Sequence, residues 1–537
     1  MAPLFLLILL SLSFHHQQLQ VLALANRSQH DFGYMKSVYD ANEMPLKGQY
    51  DYIVIGGGTA GCPLGATLSE KYSVLVLERG DAPNAHPSVF TTSGFFANLN
   101  REDDGTTPAQ RFTSEDGVQS LRGRVLGGSS MLNAGFYSRA DDEFLAQSGI
   151  EWDVDLMERA YEWVEETIVY RPRVDVWQSS VRESLLEVGL VPDNGFTVRH
   201  KIGTKTSGST FDPFGTRHGA VELLNRANLE NLRVAVNATV NRIIFSTKAS
   251  TPAAIGVIYT DSKGKSHVAL VRRKGEIILS AGAIGSPQLL LLSGIGPRSY
   301  LSSLHINPIL HSQPNVGKFM ADNPGVTINL ILPNSTERLP TKITGITSDY
   351  IIQTTTSSVQ PNVTTNLSLG LISEKIPGPL SSGSLRLASS NNVKVAPRVR
   401  FNYFANPIDL SRCVMAMKKV GDMLKSNALD RFKHKGSDGK REFLFYGPSL
   451  PMNNHSNDDS LIESFCRTRV STFWHYHGGC VVGKVVDSDF RVKGITSLRV
   501  VDGSTFNISP GTNPQATLMM LGRYVGLNMM RKRTESS

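Results

Sequence analysis

The sequence predicts an α/β protein, with a Rossmann-type dinucleotide-binding unit and at least one further domain. Three observations predict it. The chain has 537 residues, more than one hydrophobic core ordinarily organises. The stretch "YDYIVIGGGTAGCPLGATLSEKYSVLVLERG", Tyr50 to Gly80, reads as strand, glycine turn, helix and strand. Further on, "GEIILSAGAIGSPQLLLLSGIGP", Gly275 to Pro297, is a strand running into a glycine turn and a Leu-rich helix. With 40% hydrophobic and 19% charged residues the composition is that of a globular protein, which excludes fibrous and disordered classes.

The N-terminus "MAPLFLLILLSLSF" has the length of a secretory signal, and Ala23-Leu24-Ala25 supplies the small-residue pattern of a cleavage site, so residues 1–25 are expected to be a signal peptide. The run lacks a basic start. A membrane anchor is the competing reading, but the run is shorter than a spanning helix needs and no later segment qualifies. Export to the cell exterior or the vacuole is therefore expected. Glycosylation sequons fit it, at Asn26, Asn237, Asn334, Asn362, Asn366 and Asn454; a further one at Asn507 is weakened by Pro510 just beyond. Of four cysteines, Cys413 and Cys466 lie where an oxidising compartment would allow a disulfide, whereas Cys62 and Cys480 follow a glycine turn and a histidine pair and are expected to stay reduced and buried. The formal charge of +8 is scattered rather than striped, and no nucleic-acid module is present, so no nucleic-acid partner is expected.

Gly56, Gly58 and Gly61 form GxGxxG between a strand at Tyr52–Ile55 and a helix, with Glu78 ending the next strand at the spacing of about 20 residues the fingerprint requires. Glycines let backbone approach a pyrophosphate, the helix N-terminus stabilises its charge, and the carboxylate can bond ribose hydroxyls. The fingerprint alone does not separate NAD from FAD. "RVLGGSSMLNAGFYSRA", Arg124 to Ala140, adds a second glycine turn.

Together with "RVVDGSTFNISPGTNPQATLMMLGRY" near the C-terminus, these motifs resemble, in order, the glucose-methanol-choline (GMC) oxidoreductases, a family of FAD enzymes. The passages "LLEVGLVPDNGFT", "FWHYHGG" and "FRVKGITSLRVVDGSTF" are similar to the plant branch of (R)-mandelonitrile lyases and HOTHEAD-like proteins. The resemblance implies the GMC fold, α+β overall. It implies a doubly wound, discontinuous FAD domain within residues 46–330, a substrate-cover loop region at 331–382, and residues 383–530 completing a sheet-based substrate domain and returning to the FAD domain. It implies flavin contacts at Gly56, Gly58, Thr59, Ala60, Gly61, Glu78 and Arg79; at Val125, Gly128, Ser129, Asn133, Ala134 and Gly135; at Val240; and at Trp474, His475, Asp502, Gly503, Asn513, Pro514 and Gln515. It also implies a Cys413–Cys466 disulfide. Members with covalent FAD attach it through a histidine near "LGGSS"; none stands here, so non-covalent FAD is expected.

"TFWHYHGG", Thr472 to Gly479, admits three readings: a metal pair, core packing or catalysis. No carboxylate follows His477 in "GGCVVGKV", so no metal is expected. The resemblance makes His475 the catalytic imidazole, with an unperturbed pKa of ~6.5, and leaves His477 as packing or support. The partner position falls at Asn513, where the lyases carry His; an amide holds an oxygen but takes up no proton. The lyases also have a tyrosine where this chain has Phe473, and a cysteine in the substrate region, whereas none lies between Cys62 and Cys413 here. These departures favour oxidation of an alcohol over cleavage of a cyanohydrin, by a monomer acting on a small molecule; a catalytically idle flavoprotein is a further alternative. No GxSxG is present for a serine hydrolase. The polar stretch Gln353 to Pro379 is expected to be a mobile loop that sets substrate size, with a glycosylated linker as the alternative.

Overall fold

The computed structural model describes residues 30–334, 340–362, 365–451 and 459–535. The expected signal peptide and the sequons at Asn26 and Asn454 lie outside the described residues.

Two large sheets organise the chain. In chain order the strands are β1 (Val38–Asp40), β2 (Lys47–Ile55), β3 (Val74–Leu77), β4 (Asp193–Phe196), β5 (Gly203–Thr206), β6 (Leu232–Val236), β7 (Thr239–Ser246), β8 (Ala253–Thr260) and β9 (Ser266–Leu279). There follow β10 (Pro324–Ile331), β11 (Ile343–Ile346), β12 (Ile351–Asn362), β13 (Thr365–Lys375), β14 (Leu444–Phe445), β15 (Ser471–Thr472) and β16 (Leu498–Val500). The helices that matter below are α1 (Gly61–Ser69), α2 (Val176–Glu187), α3 (Gly282–Leu292), α4 (Pro407–Lys425), α5 (Ser460–Arg469) and α6 (Gln515–Glu535).

The first sheet has the order β1-β6-β3-β2-β9-β8-β7, with β16 also paired to β9. Its central pairings are parallel, including β16 on β9 with Ile277 opposite Leu498. All of Tyr52–Ile55 and Val74–Leu77 is buried, as expected of strands covered on both faces, and this is why the segment reads as continuous apolar runs. Helix α6 lies against α1 through glycines: a Cβ on Gly522 would stand 2.2 Å from the Ala60 carbonyl oxygen, and one on Gly526 would stand 2.8 Å from Thr67. The C-terminus thus completes the domain that the N-terminus begins.

The second sheet runs β14-β10-β13-β12-β11-β5-β4, with β15 also paired to β10. Its pairings are antiparallel except β4 on β5. One face packs on a separate core that includes Trp177 of α2, Ile328, Ile372 and Met417 of α4. Cys413 in α4 and Cys466 in α5 are joined by a disulfide, and Cys62 and Cys480 are free and buried.

Sheet membership does not follow linear divisions at 46, 330 and 382. Strand β1 precedes residue 46 and joins the first sheet, while β4 and β5 of the second sheet come before 331 and β10 ends at it. The expected cover loop is also corrected: most of Gln353–Pro379 is β12 and β13, a hairpin inside the second sheet. Its core-facing positions include threonines, which disguised the alternation. Thr354 is fully buried, accepting from Trp177 Nε1 at 2.7 Å and donating to the Leu371 carbonyl at 2.8 Å.

Candidate active site

A cavity of about 1370 Å³ lies between the C-terminal ends of β2, β3 and β9 and the free face of the second sheet. The first wall is made by three glycine turns. Gly56 has φ +102° and would bring a Cβ to 2.4 Å from the Ser280 carbonyl oxygen; a Cβ on Gly128, φ +60°, would stand 2.7 Å from Gly58 Cα. Gly58 itself has open space, its hypothetical Cβ meeting nothing nearer than 3.8 Å. A groove of bare backbone at the start of α1 results, the shape a pyrophosphate requires.

Glu78 lines the groove, its carboxylate accepting from Gly57 N at 3.1 Å and Gly80 N at 2.8 Å. Burial raises its pKa against these bonds. Asp502 ties the third turn in place, accepting from Gly282 N at 2.9 Å, Ser286 Oγ at 2.5 Å and Ser504 N at 2.8 Å. Thr59, Ala60, Arg79, Ser129, Asn133, Ala134, Val240, Gly503, Pro514 and Gln515 also line the cavity. Asn133 Nδ2 donates to Gln515 Oε1 at 2.8 Å, joining two distant motifs. Three expected contacts do not reach the wall. Gly61 packs α1 on the first turn, where a Cβ would stand 1.9 Å from the Gly56 carbonyl; Gly135 faces the Phe211 ring, 2.4 Å from its hypothetical Cβ; Val125 is fully buried in the core. The glycine cradle, helix terminus and terminal carboxylate fit an adenine dinucleotide.

The opposite end carries the histidine loop. Backbone hydrogen bonds of 2.9 Å in both directions pair His477 with Ala321, and a Cβ on Gly478 would stand 1.8 Å from the Phe319 carbonyl oxygen. Trp474, which lines the cavity, sits at φ +59° with its N–H donating to Thr472 Oγ1 at 2.7 Å. Asp322 accepts from His475 N at 2.8 Å and from Tyr403 Oη at 2.5 Å. Burial lifts the Asp322 pKa to about 6. His477 is buried and its Nδ1 donates to the His475 carbonyl at 3.0 Å, a supporting position.

His475 lines the cavity, and its Nδ1 has no hydrogen-bond partner among the described residues. Burial first, then the charge of Lys375 and the neighbouring His477, hold its pKa well below the ordinary imidazole value, so the expected value near 6.5 is corrected downward. Asn513 lines the same cavity. Lys375 Nζ donates to the Thr512 carbonyl at 2.7 Å and to Asn513 Oδ1 at 3.4 Å, which leaves the Asn513 amide hydrogens to point elsewhere. Fully buried Lys375 has its pKa lowered by burial to about 7.

Sequence reading missed Lys375 and Asp322, because neither belongs to a local motif; the only available signal was a lysine closing an alternating strand. Among the sequons, Asn334 and Asn366 are exposed. Asn237 instead lines the cavity rim, and its Nδ2, the atom a glycan would occupy, donates to Asp40 Oδ2 at 2.9 Å. No helix among the described residues is long and apolar enough to cross a membrane.

Comparison with known proteins places this architecture. Two GMC oxidoreductase family models match, one over residues 50–325 and the other over 379–522. (R)-mandelonitrile lyase 3 of Prunus serotina is 52% identical, covering 99% of this chain and 94% of that protein. Sinalpyl alcohol oxidase Nec3 of Nesocodon mauritianus is 50% identical, covering 99% and 97%. Among solved structures, formate oxidase of Aspergillus oryzae shares the fold with a TM-score of 0.76 at 19% identity, over 91% of this chain and 99% of the other. The chain belongs to the GMC oxidoreductase family, and FAD is its cofactor.

Proposed function

We propose that the protein oxidises an alcohol to the aldehyde or ketone, with His475 as the base and FAD held non-covalently by the glycine cradle, Glu78 and the turn at Asp502 and Gly503. The observation that carries this reading is the pairing at the reacting end: one imidazole kept neutral and one amide, Asn513, that has no basic form. His475 in that state accepts the hydroxyl proton. Asn513, its carbonyl oxygen engaged by Lys375, turns its N–H groups to the substrate oxygen as charge develops there. The buried Lys375, in the protonated form it takes below about pH 7, adds favourable potential for that oxygen. Bound FAD supplies the hydride acceptor for the carbinol carbon. The relationship to an alcohol oxidase at 50% identity supports the same chemistry.

Cyanohydrin cleavage is the second reading, favoured by the 52% identity to a mandelonitrile lyase. It lacks a second imidazole here, since Asn513 occupies that place. Export through the secretory pathway, to the exterior or the vacuole, accompanies either reading, on the strength of the N-terminal segment and the disulfide.

Anaerobic mixing with an aryl alcohol, a long-chain alcohol and mandelonitrile separates the two. Loss of visible flavin absorbance with an alcohol is the expected result; aldehyde and cyanide released from mandelonitrile with that absorbance intact would establish the lyase instead. The His475→Ala variant should retain FAD and lose turnover by about 10²–10⁴-fold; full activity there would remove His475 from the mechanism.

A further inference from the structure

Resting on the alcohol-oxidation reading, we propose that the substrate is an aryl alcohol bearing a second, phenolic hydroxyl at the end far from its carbinol, and that Gln353 with the Thr327–Ser373 pair receives it. The register of the second sheet aligns Thr327, Ser373, Gln353, Thr344 and Lys205 in one row across β10, β13, β12, β11 and β5. Thr327, Gln353 and Ser373 line the cavity. A row nearer the histidine loop holds Gly325, Lys375 and Ile351. Gln353 therefore stands two residues along and one strand across from Lys375, about 8 Å. That is roughly the reach of a hydroxylated aryl alcohol whose carbinol oxygen lies by Asn513.

Between the two polar ends lies an apolar bed. Phe473 packs against β10, where a Cβ on Gly325 would stand 2.0 Å from its ring and 2.5 Å from the Glu374 carbonyl oxygen, so a glycine there admits the ring. Phe473 also lines the cavity and sits with its centroid 6.0 Å from that of His475. An aromatic body has a surface to stack on.

The distal row is chemically unfinished. Gln353 is 7% exposed and its Oε1 has no partner among the described residues, which leaves a buried acceptor without a donor. Thr327 Oγ1 and Ser373 Oγ share one hydrogen bond of 2.7 Å, so one hydroxyl hydrogen of the pair is left to donate. A phenol donates to the first and accepts from the second. An ether in its place can only accept, and a bare ring does neither.

The test is ligand binding to the FAD-loaded protein, read as a perturbation of the flavin spectrum, with 4-hydroxycinnamaldehyde, 4-methoxycinnamaldehyde and cinnamaldehyde. The hydroxylated ligand should bind at least about tenfold tighter than the other two. In Gln353→Leu that preference should fall to near one at unchanged FAD content, and Thr327→Val should reduce it partially. Equal affinity for the three ligands, or a preference that survives in both variants, overturns the proposal. Anaerobic reaction with the corresponding alcohols separates it from the reading beneath it. Preference in binding with no bleaching by any alcohol sinks oxidation and leaves the distal site standing. Bleaching with no preference does the reverse.

Discussion

The two sheets differ in what covers them, and the difference decides how each reads in sequence. The first is covered on both faces, so Tyr52–Ile55 and Val74–Leu77 are uniformly apolar and local inspection finds them. The second packs one face on a core and turns the other to the cavity. Its cavity-facing row is glutamine, serine and threonine, and β12 places the buried Thr354 on the opposite face as an acceptor for Trp177. Such a strand looks like a polar linker. The lesson is that a wall shaped for a ligand loses the hydrophobic period by which strands are recognised, because its polar groups answer a molecule absent from the sequence.

A matched pair of substitutions should break the molecule along this line. Gly61→Ala forces a Cβ onto the Gly56 carbonyl at 1.9 Å and should cause a more than about tenfold loss of bound FAD. Gly325→Ala brings its Cβ against the Phe473 ring and to 2.5 Å from the Glu374 carbonyl oxygen, a strain within the second sheet, and should leave FAD content normal while kcat/KM falls about 100-fold. FAD loss in both variants would show that the two walls are one cooperative unit. Next in size, Thr354→Val keeps the shape of the buried side chain but strands the Trp177 indole N–H, at a cost of about 1–3 kcal/mol in the unfolding of the second domain; a denaturation midpoint equal to wild type would mean that the indole has another acceptor.

The smallest expected effect is in the pH profile. Because the folded-state pKa of His475 is depressed, its neutral form is present above that low value and it adds no acid limb of its own between about pH 7.5 and 5.5; changes in kcat/KM there should follow Lys375, at about 7, and Asp322, at about 6. Lys375→Met removes one cause of that depression while burial, the larger one, stays, so the His475 pKa should rise and any limb due to Lys375 should disappear. A limb centred on about 6.5 that persists in Lys375→Met and is lost in His475→Ala would show that His475 behaves as an ordinary imidazole.

The cradle was legible because pyrophosphate chemistry demands glycines at fixed spacing, a local constraint. His475 and Asn513 were legible by resemblance, and the structure brings both to one cavity. What sequence could not supply was the state of the imidazole, since its pKa is depressed first by burial in the folded cavity and then by Lys375, a hundred residues upstream on β13. Gly325 is a similar case: it reads as an ordinary strand-opening residue until Phe473, from β15's far end, comes to rest on it. Asp322 reaches the same loop from the segment before β10.

The disulfide between α4 and α5 has a practical corollary. Helix α5 runs directly into β15 and the loop bearing His475, so the covalent link anchors the approach to the reacting end while lying remote from the dinucleotide cradle. Recombinant material prepared in a reducing cytosol would then emerge yellow yet sluggish. Colour alone is a poor gauge of how much of a preparation is competent.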